Sequence, residues 1–202
     1  MDGVISSAVS GALASWSLIV AVGPQNAFVL RQGLSRRHVG LVIGVCAAAD
    51  CLLIALGNLG VGVLITALPW LLEALRWGGA LYLGWFALQS FRSAVRAEGL
   101  KAGAGAGSVG AVLATTLTLT FLNPGVYLDT VALLGTLAHQ AGDAAWAFSF
   151  GAMFASITWF VGLVHGARAL APLVASPKAW RMVDTVIGCV VLAIALKLAF
   201  WH

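Results

Sequence analysis

Six long apolar stretches, near residues 4–30, 39–67, 69–91, 109–138, 145–166 and 182–201, run the length of the chain between short polar intervals. An α-helix needs about 20 largely apolar residues to cross the hydrocarbon core of a bilayer. The pattern therefore predicts an all-α integral membrane protein with six transmembrane helices. The interval at 99–110, with its repeated Ala-Gly, has the composition of a flexible linker. It divides the chain into a first three-helix repeat over 1–98, a Gly/Ala-rich cytoplasmic linker over 99–108 and a second three-helix repeat over 109–202. Three spans is an odd number, so the second half enters the membrane inverted relative to the first. Many secondary transporters are built from such inverted repeats.

Composition excludes an ordinary water-soluble domain: 61% of the 202 residues are apolar and 9% are charged, where soluble chains carry about 25% charge. The mean hydropathy is +0.99. A pI near 9.3 raises the question of nucleic acid, but the basic residues form no binding stripe. Nine of the eleven fall in alternate intervals: Arg31, Arg36 and Arg37, then Arg92, Arg96 and Lys101, then Arg168, Lys178 and Arg181. By the positive-inside rule those intervals are cytoplasmic and both termini face the opposite side. The first stretch has only Asp2 as an early charge, so it does not read as a cleaved signal peptide. Trp70, Trp146, Trp180 and Trp201 lie near span ends, at headgroup level. No phosphate-binding loop, HExxH or CxxC motif occurs, and a non-enzyme with no metal and no cofactor is expected. Membrane lipid is the surrounding partner, and a homo-oligomer is compatible with the sequence.

Two prolines interrupt the first span of each half. Pro24 lies in Gly23-Pro24-Gln25-Asn26 and Pro124 in Asn123-Pro124-Gly125. Proline lacks a backbone donor and clashes with the preceding turn, so each site predicts an unwound or kinked helix. Backbone groups freed within hydrocarbon need cover from protein or a wet cavity. Gln25, Asn26 and Asn123 offer amides for that purpose. Paired interruptions in corresponding spans point to a transporter's binding site, although a kink that only shapes packing is the alternative at either one.

Asp50 and Asp129 lie within apolar stretches. A charge at the centre of a spanning helix costs about 2.5 to 3.5 kcal/mol on insertion scales. Either the carboxylates line a route for a cation or proton, or they are structural, paired with Arg76 or bonded to a neighbouring helix. Tyr127 could touch substrate or bridge helices. Asn58 is open between an interhelical bond and a cavity role. Glu73 and Arg76, spaced i,i+3, read as an ion pair. The pairs Gly40/Gly44 and Gly162/Gly166 read as close helix contacts.

The run Gly23-Pro24-Gln25-Asn26-Ala27-Phe28-Val29-Leu30-Arg31-Gln32-Gly33-Leu34, with Leu122-Asn123-Pro124 followed by Val126-Tyr127-Leu128-Asp129-Thr130, resembles the signatures of the bacterial lysine and arginine exporter family. The order of features is similar over essentially the whole chain, and the Gln-Asn-Ala-Phe form resembles its basic amino acid branch. Gly125 departs from the larger residue expected there. The resemblance implies a multi-pass exporter of L-arginine or L-lysine in the bacterial inner membrane, both termini periplasmic, driven by ion gradients. The residues named for substrate are then Gln25, Asn26, Asn123, Tyr127 and Asp129, with Asp50 for proton coupling and Gly23, Pro24 and Pro124 for the helix breaks.

The bottom-up chemistry is compatible with that expectation. Half-helix N-termini at the two prolines would favour a substrate carboxylate. Moving one positive charge outward against 100 mV costs about 2.3 kcal/mol, and exchange for one proton removes that cost. Other readings stay open: an exporter of neutral amino acids such as homoserine or threonine, a thiol oxidoreductase using Cys46 and Cys51, or a structural subunit.

Overall fold

The computed structural model describes residues 2–20, 23–36, 38–62, 67–96, 108–174 and 176–200. The linker expected over 99–108 lies, except for Ser108, outside them. Every regular element among the described residues is helical. In chain order these are α1 (Asp2–Ile19), α2 (Pro24–Ser35), α3 (Val39–Asn58), α4 (Pro69–Arg96), α5 (Val109–Phe121), α6 (from Pro124 to Gln140), α7 (Ala145–Leu170) and α8 (Pro177–Phe200).

Both prolines start a helix. Pro24 and Pro124 each occupy the first turn, where the missing N–H has no intrahelical partner to lose. The axis bends by 85° from α1 to α2 and by 58° from α5 to α6. Helices α3, α7 with its leading turn, and α8 are each long and apolar enough to cross a membrane, and each bent pair meets the same measure when taken as one broken span. Helix α4 has the length, at 28 residues, but it carries Arg76, Gln89 and several Trp, Tyr and Gly positions and is less apolar than α3, α7 and α8. The described residues thus account for up to five spans by length and composition.

Helix α4 packs along α8 and α1 along α7, while α3 touches α7, α6 and α5. The core joins Phe28, Val42, Phe86, Leu119, Phe160 and Val191, from six different helices. Outward positions are as apolar as the core: Ile5, Leu81, Phe150, Phe154, Met182 and Phe200 are all exposed. Helices apolar on every side suit lipid surroundings.

Backbone contact is closest at glycines the motif search did not single out. A Cβ at Gly151 would overlap the carbonyl of Ala8, one at Gly11 that of Phe148, and one at Gly135 would lie 2.5 Å from Gly57 O. The Gly40/Gly44 and Gly162/Gly166 pairs have open space where a Cβ would point, so they do not seat helices against one another within this chain.

The basic end of the bundle is tied by charge. Arg31, expected in an interval between spans, lies inside α2, and its Nε is 3.1 Å from Oδ1 of the buried Asp184 in α8. Ser93 in α4 donates to Asp184 at 2.6 Å and accepts from Arg31 at 3.2 Å.

Candidate functional site

The first break is fastened by one amide. Asn26 Nδ2 donates to Ile19 O, the last carbonyl of α1, at 2.7 Å, and Trp159 Nε1 on α7 donates to Asn26 Oδ1 at 3.2 Å. A carbonyl orphaned by the break thereby regains a partner. Gly23, at the N-cap of α2, is extended and supplies no side-chain cap.

The second break is fastened within its own segment. Asn123 Oδ1 accepts from Gly125 N at 3.0 Å, an N-cap bond. Tyr127 Oη donates to Phe121 O at 2.9 Å, across the break from α6 to α5. Tyr127 therefore bridges helices, one of its two expected roles. Beyond it, residues Tyr127–Leu133 widen into a π-helix, a form that is rare and frequent at functional sites.

Both breaks open on one cavity of about 360 Å³, lined by Gly23, Pro24, Gln25, Asn26, Asp50, Asn123, Gly125 and Asp129, with Ser15, Thr130, Phe160 and Lys197 among the remaining walls. Its volume lies in the range of small-molecule sites, about 300 to 1,000 Å³. Of the residues expected at the site, Tyr127 and Pro124 do not line it. Two half-helix N-termini meet there, an arrangement that favours a bound anionic group.

The carboxylates occupy different surroundings. Asp50, midway along α3, is 8% exposed and accepts from Ser156 Oγ on α7 at 2.6 Å. Ser156 is the twelfth residue of α7 as Asp50 is the twelfth of α3. Asp129 is exposed and sits in the π-helical segment. The alternative that Arg76 pairs with Asp50 does not hold: Arg76 binds Glu73 at 3.1 Å and donates to Leu198 O and Ala199 O, each at 2.8 Å.

Two buried amide nitrogens have no hydrogen-bond partner among the described residues. Gln25 Nε2 is buried without a hydrogen-bond partner on the cavity wall. Asn58 Nδ2 is likewise unpartnered but lies outside the cavity lining. Cys46 and Cys51 are free thiols, five residues apart on one helix and hence on different faces. Sequence reasoning missed Ser156, Lys197 and the Arg31–Asp184 pair. Asp184 was within reach, as an acid near the start of an apolar run.

The chain matches the family model described as LysE type translocator over residues 16–201. It is 40% identical over 187 residues to the arginine exporter protein ArgO of Escherichia coli, covering 91% of this chain and 88% of that protein. It is 40% identical over 194 residues to ArgO of Pectobacterium carotovorum, covering 95% of each. A provisionally named amino-acid transporter of Mycobacterium bovis is 43% identical over 181 residues, covering 89% of this chain and 90% of the other. No solved structure matches. The chain is an α-helical membrane protein and belongs to the LysE type translocator family.

Proposed function

We propose that this chain exports basic L-amino acids, arginine or lysine, across the bacterial inner membrane as a proton-coupled antiporter working by alternating access. The observation that carries the reading is the single cavity walled by both helix breaks and by both Asp50 and Asp129. The 40% identity to proteins named as arginine exporters favours basic over neutral substrates. In this reading the N-termini of α2 and α6 attract the substrate carboxylate. Gln25, Asn26 and Asn123 line the site, and Asn26 also holds it open. Tyr127 acts through the break it bridges.

Asp129, exposed beside the second break, meets the substrate's cationic group. Asp50, buried and bonded to Ser156, carries the proton. Burial disfavours a bare carboxylate, so either cation stabilises it and the two compete. Competition for a shared negative site turns proton entry into substrate release, which is antiport. Six spans, with α4 as the third, place the basic end in the cytoplasm and both termini in the periplasm. The halves over 1–98 and 109–202 act as inverted repeats, and their meeting surface is the site.

The test is exchange in proteoliposomes containing the purified protein, loaded with arginine, lysine or threonine and challenged with labelled arginine at imposed pH gradients. Arginine and lysine are expected to drive uptake, which rises with an opposing proton gradient, and threonine is not. Uptake driven equally by threonine would favour the neutral exporter. For topology, Gln140→Cys in a cysteine-free background should label from outside and Ser35→Cys only after permeabilisation.

A further inference from the structure

We infer that Lys197 is the charged partner of the substrate's α-carboxylate, and so helps set the preference for dibasic over neutral amino acids. This rests on the proposed function and adds a residue to its site. The ionisable groups on the cavity wall are Asp50, Asp129 and Lys197. Two carboxylates and one ammonium mirror the charges of arginine or lysine, which carry two cations and one carboxylate. Every charge then has an opposite, whereas a neutral amino acid leaves one aspartate without a partner, which is costly at the buried Asp50 and less so at Asp129, which like Lys197 is exposed.

Three features favour Lys197 for that role. Neither ion pair among the described residues uses it; they are Arg31–Asp184 and Arg76–Glu73. The end of α8 that bears it is held in place, because Arg76 binds the carbonyls of Leu198 and Ala199. The second helix N-terminus already has a cap from Asn123 to Gly125 N, while the first has none. The carboxylate therefore meets the N-terminus of α2, which no side chain caps, on one side and a mobile ammonium on a four-carbon stem on the other.

The charge count also bears on coupling. With one aspartate protonated the empty cavity is neutral, and a substrate of net charge +1 that displaces this proton keeps it neutral. One substrate then exchanges for one proton.

The probe pair is arginine and agmatine, which is arginine without its carboxylate, binding to the purified protein in nanodiscs. Wild-type protein should bind arginine more tightly than agmatine. Lys197→Met should weaken arginine by roughly 10- to 100-fold, the scale of a lost charged hydrogen bond, and leave agmatine unchanged or tighter. Lys197→Arg, which keeps the charge, should restore the arginine preference and serves as the folding control. Equal loss of both ligands, or unchanged arginine affinity in Lys197→Met, overturns the assignment while leaving arginine transport standing. Wild-type protein that binds no basic amino acid brings down the proposed function itself, and the charge pairing with it.

Discussion

The break before Pro24 bends its span by 85° and is fastened across the molecule, to Trp159 on α7. The break before Pro124 bends by 58° and is fastened to itself, through Asn123 to Gly125 and Tyr127 to Phe121. The same proline chemistry therefore yields a fixed side and a self-contained side. The carboxylates follow the division. Asp50 is locked to Ser156 between two unbroken helices, and Asp129 sits exposed on the π-helical turns that follow the second break. Non-standard helical turns often mark hinges and functional sites and are a recognised cause of kinks. The second break is accordingly the side expected to move when substrate binds.

The largest effects should come from the carboxylates. Asp129→Asn is expected to lower both arginine binding and arginine/arginine exchange at least about tenfold, the scale of a lost charge-assisted bond. Asp50→Asn should abolish net export to the same degree, because asparagine carries no transferable proton, and weaken exchange less than Asp129→Asn does. Measured in the same proteoliposomes, equal loss of exchange in both variants would erase the distinction.

Next come the prolines. Alanine at either position lets the helix re-form, so Pro24→Ala and Pro124→Ala should insert normally and transport several-fold less per molecule of protein. Transport that falls only in proportion to membrane protein level would make the bends packing kinks.

The tethers should differ by less. Asn26→Ala strands both Ile19 O and Trp159 Nε1, and Tyr127→Phe strands only Phe121 O. At about 1 to 3 kcal/mol per buried unpaired group, the thermal midpoint of Asn26→Ala in detergent should fall further. A larger drop for Tyr127→Phe would reverse the assignment of the fixed side.

Smallest of all is Gly162→Ala, which points into open space and should leave both stability and transport unchanged. Gly135→Ala, pressed against Gly57 O, should destabilise by about 1 to 3 kcal/mol.

Local chemistry made the helix breaks legible in the sequence. Proline dictates its own neighbourhood, so Gly23-Pro24 and Asn123-Pro124 could be placed, as could the helix interiors of α3, α7 and α8. Asp50 and Asp129 stood out because a carboxylate in an apolar run needs a reason. What could not be read were pairings between distant segments. Ser156 lies 106 residues from Asp50, and a serine in an apolar helix sends no signal of its own. Gly11 and Gly151 have no glycine four residues away, yet they seat α1 on α7, while the GxxxG pairs face outward because motif spacing says nothing about which face a partner covers. Arg31 followed the loop assignment of its basic neighbours, and only the position of Asp184 revealed that it belongs to the bundle.

Substrate protection tests the central claim most directly, that the cavity joining the two breaks is where the transported amino acid sits. With Cys46, Cys51 and Cys189 replaced, single cysteines are introduced as Thr130→Cys and Ile194→Cys on the cavity wall, and as Leu170→Cys on the separate apolar groove of α7. Saturating arginine is expected to slow thiol labelling at 130 and 194 and to leave 170 unchanged. Equal labelling rates with and without arginine at all three positions would contradict the account.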